Sequence, residues 1–156
     1  MQNAIDIHSR VKTAPATPYT ITALIAPQFV TTTGQDRAGI LFRESGTSKM
    51  SSIGFRADNG QLEVLNWTNN TTLASFPVQD VGATGNRGLI WLRLIDTGVN
   101  LTYHISMNGQ NFTQVYTQAR GVPFTVAPDQ YGFWCTSNSA VATGIAAPTV
   151  TVYSMN

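Results

Sequence analysis

The side chains of this chain that could do chemistry are chiefly aromatic and basic, and they stand in short alternating runs. In the run Leu89–Leu94, alternation places Ile90, Leu92 and Leu94 on one face of a strand and Trp91 with Arg93 on the other. In the run that follows, Leu101 points inward and His104 outward. Applied to the other runs, the same alternation predicts one outward face carrying Arg43, Arg56, Trp91, Arg93, His104 and Trp134.

Such a face suits ligand binding, because an indole offers a flat apolar surface while Arg and His supply hydrogen-bond donors. Trp67 is added as a candidate because a polar stretch, Thr68–Thr72, follows it directly, so that it either flanks a binding loop or caps the core. The alternative is structural: a guanidinium lying over an indole on neighbouring strands contributes about 0.5–1 kcal/mol. The predicted ligand-binding residues are Arg43, Arg56, Trp67, Trp91, Arg93, His104 and Trp134.

Catalysis receives little support from the acidic residues. A glycosidase on a β-sandwich needs two carboxylates facing one cleft, and Glu44 with Glu63 is the one pair associated with strands. No two acids alternate along a single strand. A nucleophile elbow and a phosphate-binding glycine loop are also missing from the sequence. We therefore predict a protein that is not an enzyme and has no catalytic residues.

Metal and thiol chemistry are also disfavoured. The single cysteine, Cys135, stands among apolar residues and is predicted to be a buried residue of a strand. A nucleophilic thiol would need a nearby base, and His8 and His104 are the only histidines in the sequence. Two distant histidines do not predict a transition-metal site. Calcium could use loop acids such as Asp36, Asp80 and Asp129, although solvated turn acids are the favoured reading. No cofactor and no metal are predicted.

The composition limits the partners. The chain has 156 residues, a formal net charge of +1 and 11% charged residues, so it lacks the basic field that binds a phosphate backbone. Its apolar runs are too short to cross a membrane. The first eight residues lack the features of a secretory signal. The expectation is a protein that is made in the cytoplasm, or is a piece of a longer protein, and that neither binds nucleic acid nor inserts into a membrane.

The elements that position these residues are strands. Short runs rich in β-branched and aromatic residues, separated by Gly, Asn and Asp, predict an all-β chain folded as a two-sheet antiparallel β-sandwich. The predicted strands are Tyr19–Ala26, Arg37–Glu44, Met50–Ala57, Gln61–Trp67, Thr72–Phe76, Leu89–Asp96, Asn100–Met107, Phe112–Gln118, Gln130–Thr136 and Thr149–Met155.

Turn residues divide the chain further. Glycines at 60, 98 and 109 predict three hairpins, within 50–67, 89–107 and 100–118. Pro15 and Pro18 mark residues 1–18 as an N-terminal arm or linker, followed by a single sandwich domain over 19–156. Long connections are predicted over 77–87 and 137–148.

The order of four fragments resembles a known family. Gly39–Arg43, Ile53–Arg56, the Trp91–Leu94 strand running into Asn108–Gly109, and Tyr131–Trp134 resemble a concanavalin A-like lectin/glucanase (laminin-G-like) jelly roll. The resemblance covers 19–156 and is closest to non-catalytic accessory modules of glycosidases and bacteriophage tail, fibre or head-fibre proteins. It implies ligands on a concave sheet face or on rim loops, and the family's catalytic acidic strand has no counterpart here.

Three hypotheses follow. The leading one is a non-catalytic carbohydrate-binding and adhesion module of a bacteriophage virion protein, contacting host-surface glycan and docking on other virion proteins through its N-terminal arm. The second is structural decoration or assembly of a virion through protein–protein contacts, with a homo-oligomer left open. The third is a glycosidase or lyase that uses Glu44 and Glu63.

Overall fold

The computed structural model describes residues 6–28, 36–56, 60–83, 89–137 and 149–155. All regular structure in these segments is β. The strands are β1 (Asp6–Thr13), β2 (Tyr19–Gln28), β3 (Arg37–Arg43), β4 (Met50–Arg56), β5 (Gln61–Asn69), β6 (Thr72–Ala83), β7 (Ile90–Asp96), β8 (Asn100–Ser106), β9 (Thr113–Ala119), β10 (Gln130–Ser137) and β11 (Thr149–Met155). No helix in the described segments is long and apolar enough to cross a membrane.

The strands form two antiparallel sheets. The six-stranded sheet has the order β1-β10-β3-β4-β5-β6, and the five-stranded sheet has the order β11-β2-β7-β8-β9. The two-sheet antiparallel sandwich predicted from the sequence is therefore confirmed. The three predicted hairpins are present as the β4–β5, β7–β8 and β8–β9 pairs, and Gly60, Gly98 and Gly109 all have positive φ.

The main core lies between the sheets. The six-stranded sheet contributes Ile40, Phe42 and Ile53, and these pack with Leu92 and Leu94 of the five-stranded sheet. The inward alternation predicted for β7 and β8 is thus correct. A polar network of Ser51, Asn66, Tyr103 and Gln118 also joins the sheets, with Gln118 Nε2 donating to Ser51 Oγ at 2.8 Å and to the Tyr103 hydroxyl at 2.9 Å.

Two sequence predictions need correction. The segment 1–18 is not simply an arm, because Asp6–Thr13 pairs with β10 along its whole length and forms an edge of the six-stranded sheet. The connection predicted from residue 77 onward begins later, because β6 continues to Ala83. The second predicted connection, 137–148, falls outside the described residues except for its first position.

Candidate ligand-binding face

The sequence-predicted site residues lie on two different sheets. Arg43, Arg56, Trp67 and Trp134 belong to the six-stranded sheet, whereas Trp91, Arg93 and His104 belong to β7 and β8 of the five-stranded sheet. The single outward face expected from alternation is therefore corrected to two separate faces. Alternation tells which residues of one strand share a face, but it does not tell which strands share a sheet.

The outer face of the six-stranded sheet is filled by side chains. Trp67 and Trp134 are 0% and 1% exposed, and their rings meet edge to face with centroids 5.7 Å apart. Ile7, Leu41, Met50 and Leu65 complete this cluster, called here the second core. Trp67 and Trp134 therefore offer no stacking surface, which corrects their prediction as ligand contacts.

The chain itself closes this face. The N–H of Ile7, in the edge strand β1, donates to the carbonyl of Asn70 at 3.0 Å, beyond the end of β5. In a flat sheet β1 and β5 would be four strand spacings, about 19 Å, apart, so the sheet curls to bring these corners together. Gly54 lies beneath Trp134, where a Cβ would stand 3.0 Å from the indole Cζ2. The glycine makes room for the indole against the backbone.

The arginines of this sheet have structural partners. Arg37, 2% exposed, donates from Nε to Glu63 at 2.7 Å, and Arg56 lies 3.6 Å from the other oxygen of Glu63. Arg43 donates to the side chains of Gln130 and Ser48. Through these contacts Arg43 and Arg56 stabilise the six-stranded sheet.

The outer face of the five-stranded sheet is accessible. Its centre is Arg93, whose guanidinium carbon lies 3.5 Å from the centroid of the Phe112 ring. Arg93 Nε donates to the Thr22 hydroxyl at 2.9 Å. Arg93 and Phe112 are both half-buried, so part of each remains exposed to solvent. The guanidinium is stacked over the Phe112 ring, and both groups keep part of their surface exposed in this face.

Trp91 lies beside this pair against the β8–β9 turn. Gly109, with φ of 73°, brings its backbone so close that a Cβ there would be 2.6 Å from Cε2 of the indole. Asn108 holds the turn, since its Oδ1 accepts the N–H groups of Gln110 and Asn111, each at 3.0 Å. The indole is thereby fixed in position and keeps part of its surface accessible.

His104 completes the face. It is the direct cross-strand neighbour of Arg93, and its Nε2 lies 2.9 Å from the Thr102 hydroxyl. Burial, followed by the positive charge of Arg93, lowers the pKa of His104. The imidazole is therefore neutral at pH 7 and can both donate and accept a hydrogen bond. We call Thr22, Trp91, Arg93, Thr102, His104 and Phe112 the Arg93 face.

Sequence reasoning missed three members of the Arg93 face, namely Thr22, Thr102 and Phe112. Thr22 and Thr102 become neighbours of Arg93 and His104 through strand pairing. Phe112 lies three residues after Gly109 in the sequence. Its position just after the Asn108–Gly109 turn was the one sign that its ring would lie over β7. The aromatic–cation contact arises from this turn and not from the pairing of two strands.

The two carboxylates weighed for catalysis are engaged elsewhere. Glu44 is buried and accepts hydrogen bonds from the backbone of Thr125 and Val126 and from the Thr47 hydroxyl. Burial acts to raise the pKa of Glu44, but these hydrogen bonds outweigh it and the pKa is lowered. A general acid needs the opposite shift. Glu63 is held by Arg37 and Arg56 in the six-stranded sheet.

The remaining reactive groups have ordinary roles. Burial raises the pKa of the Cys135 thiol, which disfavours the nucleophilic thiolate. Asp129, considered for calcium, accepts hydrogen bonds from the backbone and hydroxyl of Ser45. In the segments for which coordinates are described, no three His, Cys, Asp or Glu side chains are placed to share a metal ion.

Comparison with known proteins shows the fold. A functionally unknown protein from Saccharomyces cerevisiae superposes with a TM-score of 0.58 at 15% identity, over 92% of this chain and 72% of that one. A mutant of the GH43 protein BlXynB from Bacillus licheniformis gives a TM-score of 0.60 at 11% identity, over 92% of this chain but 29% of its own. The CBM2 module of the evolved Dit of Lactobacillus casei BL23 phage J-1 superposes with a TM-score of 0.55 at 13% identity. The match covers 91% of this chain and 64% of the phage module.

These similarities confirm the β-sandwich fold that the sequence fragments indicated. The chain spans less than a third of the BlXynB chain and just under two thirds of the phage module. No family model matches the sequence, and no curated protein matches it.

Proposed function

We propose that this protein is a non-catalytic carbohydrate-binding module that contacts its glycan through the Arg93 face. The observation that carries the proposal is the partly exposed Arg93–Phe112 stack, flanked by Trp91, His104 and threonine hydroxyls. The rings can pack on the C–H face of a sugar, while the guanidinium, the neutral imidazole and the hydroxyls can bond its hydroxyl groups.

The filled outer face of the six-stranded sheet supports this choice of site. The two indoles there are buried and offer no stacking surface, whereas Trp91 and Phe112 on the opposite side of the sandwich are partly exposed. The structural engagement of Glu44 and Glu63 supports binding without hydrolysis.

The virion setting is a further part of the proposal. It is supported by the fold shared with the module of a phage protein and by a surface that is polar but poor in charge. We propose that the module is carried on a bacteriophage particle, outside the cell, and contacts host-surface glycan. Docking on other virion proteins through the N-terminal segment is part of the same proposal; β1 is an edge strand with exposed side chains.

A glycan array followed by calorimetry tests the proposal. We expect a glycan that binds the native chain to bind at least tenfold more weakly to His104→Ala and Arg93→Gln, since each loses one or two hydrogen bonds. Thr68→Ala, an exposed position on the six-stranded sheet, is the matched control and should bind as the native chain does.

Two outcomes would overturn the proposal. One is the absence of any bound glycan, combined with a stable ring or trimer in light scattering, which would favour the assembly role. The other is undiminished binding by both variants, with circular dichroism showing that they fold, which would place the site elsewhere.

A further inference from the structure

A second accessible surface lies beneath β1, on the side of the six-stranded sheet that faces the main core. Ile7 and Val11 point into the second core, so the alternate residues His8, Arg10 and Lys12 lie on the other face of the strand. All three are exposed. One edge strand thus carries three basic side chains in a row about 13 Å long.

The neighbouring strand supplies aromatic rings to the same surface. The β1–β10 register places Arg10 opposite Phe133, Lys12 opposite Tyr131 and His8 opposite Cys135. Phe133 and Tyr131 are half-buried at the margin of the main core. Each of the two long cationic side chains therefore has an aromatic ring as its cross-strand neighbour.

This surface is concave. A groove of about 360 Å³ is lined by His8, Ser9, Arg10, Phe133, Trp134 and Cys135. Its volume lies within the range of small-ligand sites. It forms because β11, the edge of the five-stranded sheet, packs against β10 and β3, whereas β1 lies one strand further out.

Two cationic side chains at this groove have no charged partner in the described part of the chain. Within the described residues, the side chains of Arg10 and Lys12 make neither hydrogen bonds nor ion pairs, in contrast to those of Arg37, Arg56 and Arg120, which face carboxylates. In a chain with nine basic residues and eight acidic ones, two adjacent uncompensated cations form a local positive site. An anion would gain charge-assisted hydrogen bonds there without displacing an internal partner.

We infer that the groove beneath β1 binds an anionic polysaccharide, with Arg10 in the groove and Lys12, two residues further along β1, holding its acidic groups, and Phe133 packing against a sugar ring. The aromatic lining favours a glycan over a simple anion, and the low overall charge of the chain disfavours nucleic acid. That the ligand is a glycan rests on the proposed function, but the site is separate from the Arg93 face.

Binding of two anionic polysaccharides to the full chain tests the inference: polygalacturonate, whose sugar rings carry carboxylates, and a phosphomannan, whose sugar rings carry phosphates. We expect at least one polymer to bind the native chain. The double variant Arg10→Gln, Lys12→Gln should bind that polymer at least tenfold more weakly. Lys49→Gln, which removes one partly exposed positive charge elsewhere, should leave the affinity within twofold. Fully methyl-esterified polygalacturonate, with the same backbone but no charge, should bind at least tenfold more weakly.

Alkylation of the single cysteine reports directly on the groove. Bound polymer should slow the reaction of Cys135 in the native chain but not in the Arg10→Gln, Lys12→Gln variant. If Arg93→Gln abolishes binding while the β1 variant retains it, the inference fails and the proposed function stands. If polyglutamate or an oligothymidylate binds equally well, or if neither anionic polymer binds, the groove is not an anionic-glycan site.

Discussion

At the scale of single residues, the Arg93 face depends on glycine in one turn. Gly109 has positive φ and stands where a side chain would meet the indole of Trp91. Both requirements act on the same residue: the left-handed backbone favours glycine, and the close approach of the ring excludes a Cβ. The geometry of the binding face is therefore encoded partly in a residue that has no side chain.

Replacing Gly109 with alanine should destabilise the protein by about 1–3 kcal/mol, because the new methyl group strains the backbone and pushes Trp91 aside. Urea unfolding measures the loss, and ligand affinity at the Arg93 face should fall with it. Gly46→Ala is the control, since no described heavy atom lies within 4 Å of the same Cβ position there. Equal stability of the two variants would show that Trp91 is not held by this turn.

At the scale of elements, hydrogen bonds of Glu44 and Asp129 hold the β3–β4 loop against the segment before β10, and we call this set of bonds the clasp. Glu44 accepts the N–H groups of Thr125 and Val126, and Asp129 accepts hydrogen bonds from Ser45. Carboxylates that accept such bonds are favoured in their charged form, and the pKa values of both are lowered despite the opposing effect of burial. The clasp is consequently sensitive to acid.

A lowered carboxylate pKa in the folded state contributes stability that is present above the ordinary value, 4.5 for Glu44, and is lost as pH falls through the folded value. We therefore expect unfolding free energy to decline as pH drops below about 4.5. Glu44→Gln should be less stable at pH 7 and should show a smaller decline. Urea titrations between pH 3 and 7 measure both, and identical pH profiles for the variant and the native chain would contradict the clasp.

The edge strand β1 is the element that sequence reasoning placed least well. Prolines at 15 and 18 suggested an arm, and the alternation of Ile7 and Val11 with exposed polar residues was too short to indicate a strand. What defines β1 is pairing with β10, whose partner residues lie 117 or more positions away in the sequence, together with the second core. Such long-range pairing leaves little trace in the local sequence.

Ile7→Ala should destabilise the protein by about 2–4 kcal/mol, because Ile7 is 4% exposed and fills the second core beside the indoles. Its loss should also loosen the closure over Trp67 and Trp134, which quenching of tryptophan fluorescence by acrylamide would detect. Ser9→Ala, two residues along the same strand and exposed, should change stability by less than about 0.5 kcal/mol. An Ile7→Ala variant with the same unfolding free energy as the native chain would mean that β1 is a dispensable arm.

At the scale of the whole molecule, ten of the eleven strands could be predicted from the sequence because their alternating runs and turn glycines are local signals. The assignment of faces could not. In β3, Ile40, Leu41 and Phe42 are consecutive and all buried, which is typical of a strand covered on both faces. That continuous run was the available sign that the outer face of the six-stranded sheet is a second core and not an open cleft.

The two sheets are also joined by buried polar contacts, which stabilise the fold only if every polar group in them has a hydrogen-bond partner. Gln118 in β9 bonds Ser51, Asn66 and Tyr103, so the network links β4 and β5 of one sheet to β8 and β9 of the other. Gln118→Met should cost about 1–3 kcal/mol, because it leaves buried polar groups without a partner. Gln114→Met, at an exposed position of the same strand, should be close to neutral.

The cost should be strongly non-additive with Tyr103→Phe, which removes the hydroxyl that Gln118 contacts. If the network acts as a unit, the double variant should be more stable than the sum of the two single losses predicts, by about 0.5–3 kcal/mol. Chemical unfolding of the four proteins measures this coupling. Simple additivity would mean that the sheets are held by the apolar core alone, and that the buried hydroxyls and amides contribute independently of one another.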